Sequence, residues 1–312
     1  MNYITAINQA IVSRMAEVPN AVLYGENLTT GSRISGLTRN LEVRQGGCII
    51  NVGNCEATHC GVGFGLMMSG VTSVLFVKQL DFMLLGMDHF VNTYNFVRCQ
   101  LDPGTSGSFT IVAIVCNQGY QGPHSSFNAL GDMCSVARVP GYTITNSRDL
   151  QFIVDAQLTA PGFRFVALSQ KMFPSEFLDM GLLYSAEDGS VFQYEEGSDA
   201  TIVCFNFSLP DGLALQEKLS KAGRSSSLFS ANYVPFASWE RIIRDVARTK
   251  TIVVIDDSKS VHLPLYTLLS ELAADPSIKR IVVARESDMD FGVCADNLRI
   301  DYDAIVETIL QK

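Results

Sequence analysis

Charge is scarce in this chain. Only 18% of its 312 residues are Asp, Glu, Lys or Arg, against about a quarter in an ordinary soluble domain. So little surface charge points to a surface partly covered by a partner. Basic residues are scarcer still: 23 Lys and Arg face 32 Asp and Glu, for a formal net charge of −9, and no local basic run offsets the deficit. That balance argues against a general nucleic-acid surface. The sequence has no G-x-x-x-x-G-K-[ST] phosphate loop and no H-E-x-x-H helix, which removes two common stand-alone chemistries. Internal repeats and low-complexity tracts are also missing, so solenoid architectures drop out. The longest apolar stretch, Gly61–Val77, holds four glycines and is slightly short for a bilayer, so burial in protein is the expectation and not a membrane span.

The eight cysteines (48, 55, 60, 99, 116, 134, 204 and 294) lie mostly inside apolar segments. They read as reduced, buried thiols of a cytosolic-type compartment. Cys55, His59 and Cys60 are neighbours, but no second Cys/His pair at ligand spacing completes a zinc set, so no metal site is assigned to this chain's own side chains. The N-terminal MNYITAINQAIVSRM places polar residues between apolar positions at helical spacing. It predicts an amphipathic helix rather than a signal peptide, and with the thiols a cytoplasmic location.

What is present is apolar and alternating. Hydrophobic residues make up 47%, and the length suits two domains. AVLYGEN (21–27), CIINVG (48–53), VTSVLFV (71–77), FTIVAIVC (109–116), YTIT and FRFVALS (163–169) read as strands. Between them come helices, one opening at Glu56 and one expected over 81–97. A second alternation begins at ATIVCFNF. The order predicts an α/β fold of two α/β domains, each with a largely parallel sheet covered by helices. The expected division is 1–170, a connecting segment 171–196 without sustained period, and 197–312. GVGFG (61–65) echoes a dinucleotide fingerprint but lies within a helix and lacks the following acid.

Three features fall in one order. YGEN ends the first strand and is followed by GLTRNL. A strand, Glu56, a Gly-rich helix, a strand and QLDF come next. A strand then runs into a loop holding GPHSS, with VPGYTI downstream. In this order the chain resembles the beta subunit of the thiamine-diphosphate-dependent component of 2-oxoacid dehydrogenases, and equally the pyrimidine-binding and C-terminal domains of transketolase. The resemblance is good over 1–170 and thinner beyond 197.

The resemblance implies a cofactor, a partner and four site residues. Glu56 would hydrogen-bond the pyrimidine nitrogen of thiamine diphosphate and favour the imino tautomer that deprotonates the thiazolium carbon. Phe82, in QLDF, would lie against the pyrimidine ring, and Leu28 would border the cofactor. His124, in GPHSS, would face the reacting substrate as a donor or proton shuttle. The family holds the diphosphate through magnesium on a GDG motif with a downstream asparagine. Here there is only Gly131-Asp132, followed by Met133. An alpha-type subunit would therefore supply that half, in a heterodimer or heterotetramer. Ser125-Ser126 after GPH, and Ala231-Asn232-Tyr233 where an Arg-Thr pair is usual, leave the substrate open. The readings are a 2-oxoacid decarboxylating subunit that passes on an acyl or hydroxyalkyl group, a split transketolase-like ketol transferase, or a non-catalytic module of the same fold. Small residues at Gly61, Gly63, Gly65 and Ser69 suggest a close helix–helix interface, an internal contact, or both.

Overall fold

The structure is a computed structural model that describes residues 1–100, 106–118, 128–259, 265–285 and 298–311. The predicted alternation is present as two six-stranded sheets. In the first, β1 (Val22–Gly25), β2 (Cys48–Asn51), β3 (Thr72–Val77), β4 (Ser108–Val115), β5 (Gly141–Thr143) and β6 (Gly162–Ser169) lie in the order β2-β1-β3-β4-β6-β5, every pair parallel. All eight residues of β4 are buried, as expected of a central parallel strand covered on both faces. β2 sits at the edge, and most of its residues are exposed.

Helix α1 (Tyr3–Glu17) buries Tyr3, Ala6, Ile7, Ile11 and Met15, one face of a helix. The Asn2 side chain caps it by accepting from the Thr5 amide. Helix α2 (Glu56–Met68) crosses from β2 to β3. The helix expected over 81–97 is instead three pieces: a 3-10 segment Leu80–Gly86, a π turn His89–Thr93, and α3 (Tyr94–Arg98). Gly86 marks the break. A Cβ there would come within 2.5 Å of the Cys60 Sγ, so the chain passes too close to α2 for an ordinary helical side chain. Helices α4 (Leu130–Ala137) and α5 (Ser147–Phe152) complete this half.

The second sheet comprises β7 (Tyr184–Ser185), β8 (Val191–Glu195), β9 (Ala200–Phe205), β10 (Ser226–Ala231), β11 (Thr251–Asp256) and β12 (Lys279–Val283), in the order β12-β11-β9-β10-β8-β7. From the β12 edge inward, β12, β11, β9 and β10 are parallel, while β8 and β7 add on antiparallel at the other edge. Residues 171–196, expected as a connecting segment, thus supply two strands of this sheet. Helices α6 (Leu209–Lys221), α7 (Glu240–Thr249) and α8 (Leu265–Glu271) intervene as the pattern suggests. Helix α9 (Tyr302–Leu310) packs on α6 and has no counterpart among the expected elements.

A hydrophobic cluster runs from one half into the other, from Tyr3 and Phe163 to Phe205, Phe229 and Trp239. A polar seam accompanies it. Gly141 and Tyr233 exchange backbone hydrogen bonds at 2.8 and 3.0 Å. Thr143 donates its amide to the Asn232 side chain at 2.9 Å and its hydroxyl to the Asn206 carbonyl at 3.0 Å. The Asn146 amide reaches the Tyr194 hydroxyl at 2.9 Å.

Buried acids at this seam make stability depend on pH. Burial pushes Asp149 and Asp256 up from 3.8 to about 7, and Asp257 to about 6. Each native carboxyl therefore holds its proton where the unfolded chain has released it. The unfolded state then binds fewer protons, so stability falls as pH rises from about 4 to about 7 and levels off above. Asp256 Oδ1 accepts from the Ser258 amide at 2.8 Å, while its buried Oδ2 has no hydrogen-bond partner among the described residues. Asp256→Asn keeps that acceptor and removes the ionisation. It is expected to raise the thermal midpoint at pH 8 by a few degrees and to flatten its slope between pH 5 and 7, read by scanning calorimetry.

Of the cysteines, Cys60, Cys116, Cys134 and Cys204 are buried, but Cys48, Cys55 and Cys99 are exposed. Of those, Cys48 opens the edge strand β2 and Cys55 follows it, and the strand's apolar letters suggest a burial that the edge position does not provide. Cys294 lies outside the described residues. Among the described residues no helix is long and apolar enough to cross a membrane.

Candidate active site

Strand order places the site. The chain runs from β1 out to β2, then returns through α2 to β3 on the other side of β1. The carboxyl ends of β1 and β3, where the direction of winding switches, are where open α/β sheets form ligand crevices. A narrow cleft lies there.

Its walls come from four elements. β1 ends in Gly25, followed by Glu26. The end of β3 gives Leu75, Phe76, Val77 and the following Lys78. The 3-10 segment gives Phe82 and Met83, and the first turn of α2 gives Glu56 and His59. Gly25 has a φ of +155°, and a Cβ on it would stand 2.3 Å from the Phe76 carbonyl oxygen. Only glycine lets β1 finish so close to β3. Glu56 is the first residue of α2, where free amides and the helix dipole favour an anion. It lies near enough to Cys60 to add to the burial that raises that thiol to about 12. Phe82 is half-buried among apolar neighbours.

Of the four residues singled out from the sequence, the structure brings Glu56 and Phe82 together on this cleft. Leu28 is fully buried and is not on the cleft wall. Its amide donates to Asn51 Oδ1 at 2.7 Å, and its carbonyl accepts from the Thr38 hydroxyl at 2.8 Å. It stands behind Gly25, where its Cδ2 would be 3.1 Å from a Cβ placed on that glycine. His124 lies outside the described residues.

Glu26 and His59 join the cleft although neither is named as a site residue from the sequence, Glu26 being simply the acid within YGEN. The signals are present: Glu26 follows the last strand residue at a carboxyl edge, and His59 stands three residues after Glu56, on the same face of a helix. With its amide nitrogen turned inward, Asn54 donates to both Glu26 carboxylate oxygens, at 3.0 and 3.2 Å. His59 Nε2 lies 2.6 Å from the Gly53 carbonyl oxygen. His89, by contrast, packs against Gly61 and bonds Thr93 Oγ1 through Nδ1 at 3.0 Å.

The glycines of α2 divide. A Cβ on Gly63 would come within 2.4 Å of the Phe109 ring, and one on Gly61 would stand 3.2 Å from the His89 ring, whereas Gly65 faces open space. Val62 and Met68, three residues either side of Gly65 on α2, are about half exposed, as are Leu84 and, more so, Leu85 on the 3-10 segment that packs against α2.

Comparison with known proteins gives the same picture. The sequence is 22% identical over 266 residues, 81% of this chain and 77% of the other, to a pyruvate dehydrogenase E1 component subunit beta from Cyanidium caldarium. A chain of a split-gene transketolase, described as an inactive beta4 tetramer, superposes with a TM-score of 0.71 at 16% identity, covering 98% of this chain and 97% of that one. The fold is that of the transketolase-type chains. A transketolase from Campylobacter jejuni also matches with a TM-score of 0.71 at 12% identity. That match covers 99% of this chain but only 46% of the longer enzyme. No model of an established protein family matches. The resemblance to beta-type subunits stated from the motifs thus holds in sequence and in fold.

Proposed function

We propose that this chain is the beta-type subunit of a thiamine-diphosphate-dependent enzyme that decarboxylates a 2-oxoacid and passes on the acyl or hydroxyalkyl group. The observation that carries the reading is the meeting of Glu56 and Phe82 on one apolar-walled cleft at the switch point of the first sheet. The residues fit the pyrimidine half of the cofactor. A flat heteroaromatic ring suits a slot walled by Leu75, Phe76, Phe82 and Met83, and a ring nitrogen suits the Glu56 carboxyl at its mouth. Bound there, the cofactor supplies a carbon nucleophile to the substrate carbonyl. Glu56 holds or gives up a proton at the ring nitrogen, Phe82 fixes the ring plane, and the apolar walls exclude water. His124 serves the substrate side.

The diphosphate half has no comparable cradle among the described residues. Gly131 and Asp132 fall inside α4, and Gly131 packs against the Tyr233 ring, 3.0 Å from a would-be Cβ. Magnesium and diphosphate are therefore assigned to an alpha-type partner, and the outward apolar face around Gly65 to the subunit interface. The near-complete overlap with a split-gene transketolase chain keeps one second reading in view, a subunit that transfers a ketol unit between sugars.

The isolated chain is expected to bind thiamine diphosphate weakly, and to bind it tightly once joined to a chain carrying GDG and its asparagine. Titration calorimetry with magnesium is the measurement. Micromolar binding by the chain alone would sink the division of labour. A 2-oxoacid and sugar panel on the complex separates the two chemistries.

A further inference from the structure

The connection from β2 to α2, residues 52–55, delivers Glu56 to the cleft, yet Gly53, Asn54 and Cys55 are exposed. Gly53 brings no side chain to anchor itself, and nothing stands within 4 Å of where its Cβ would be. The imidazole of His59 reaches back to it, with Nε2 2.6 Å from its carbonyl oxygen. A carbonyl only accepts, so Nε2 carries a proton and is the donor. His59 is itself held from β1. Its backbone carbonyl accepts from the Tyr24 hydroxyl at 2.9 Å, and its ring stands edge-on to the Tyr24 ring at 6.4 Å and 82°.

We infer that His59 is a positioning residue of the cleft: its Nε2–H clamps the β2–α2 connection at Gly53 and so sets where the Glu56 carboxyl stands. The Val52 amide on the Gly25 carbonyl and the Asn54 side-chain amide on the Glu26 carboxylate hold this connection to β1, and His59 adds a side-chain tie from α2 itself back to Gly53. Tyr24 fixes one side of the histidine and Gly53 takes the other, so β1, the connection and α2 are tied through one ring. The bearing of the clamp on catalysis rests on the proposed role of Glu56. The clamp itself does not.

Two substitutions isolate the donor. His59→Gln places an amide nitrogen where Nε2 was, while His59→Phe keeps a ring against Tyr24 and removes the donor. Nitrogen-15 NMR of the full wild-type chain should show Nε2 protonated, and an unprotonated Nε2 would overturn the clamp without any variant. By amide hydrogen exchange on the full chain, the Phe variant should exchange the amides of Val52 and His59, which donate to the Gly25 and Cys55 carbonyls, roughly tenfold faster, the loss of one hydrogen bond. The Gln variant should stay within about twofold of wild type. Unchanged exchange in the Phe variant, or a Gln variant no better than Phe, would overturn the proposal. In the assembled enzyme the Phe variant should lose turnover with KM little changed, and Gln should restore most of it. Faster exchange with undiminished turnover would support the clamp and sink the catalytic reading of Glu56 instead.

Discussion

Replacing Glu56 with Gln is expected to leave the complex assembled and able to take up thiamine diphosphate, while turnover falls by on the order of a hundredfold or more. The substitution keeps the shape and one polar contact at the start of α2. It removes the group that exchanges a proton with the pyrimidine ring. Glu56 stands half-buried at the mouth of a slot with apolar walls. Hydrogen–deuterium exchange at the thiazolium carbon of the bound cofactor should slow in parallel with turnover. Exchange at the wild-type rate would take Glu56 out of the chemistry, and the cleft would need another explanation.

The second large effect is expected at Gly63, and it concerns the fold. Gly63→Leu would drive a side chain into the Phe109 ring, which already stands 2.4 Å from a Cβ at that position. Phe109 belongs to an aromatic group with Phe64 and Phe163, at ring-centroid distances near 5.1 Å, so it has little room to yield. Overpacking of this kind costs about 1–3 kcal/mol, occasionally more. The variant should lower the thermal midpoint markedly or fail to accumulate. Gly65→Ala, two residues on and on the opposite side of the helix, in open space, should be neutral or stabilising by about 0.5–1 kcal/mol in the isolated chain. The same change should weaken assembly if the outward face of α2 meets the partner. Denaturation for the first and analytical ultracentrifugation with the partner for the second keep folding and docking apart.

The legibility of this molecule follows period and punctuation. Buried strands such as FTIVAIVC and TIVVID announce themselves as apolar runs between turns. Glu56 announces itself as one acid before a Gly-rich helix. The three-piece segment 80–98 is less visible, because its apolar letters suit a single helix and only the approach of Gly86 to Cys60 breaks it. Helix α9 escapes the pattern although Asp301 caps it by accepting from the Ala304 amide at 3.0 Å. Whether an α2 glycine meets a neighbour in its own chain or open space depends on what lies opposite, which letters in order do not say. Glu26 and His59 stay hidden for a related reason. Each is ordinary in its own element and becomes notable only where β1, β3 and α2 converge.

The seam between the two sheets bears on how such a chain can be rebuilt. Thr143 hangs its backbone and its hydroxyl on Asn232 and Asn206, and Gly141 trades backbone bonds with Tyr233. The halves are therefore not interchangeable parts. A chimaera joining the first sheet of this subunit to the second sheet of a relative would leave buried donors and acceptors facing strangers unless the seam residues travelled together. Grafting a new cleft onto this scaffold is best done within 1–170 with the seam left alone, and swaps of whole halves should begin by transplanting Thr143, Asn206, Asn232 and Tyr233 as one set.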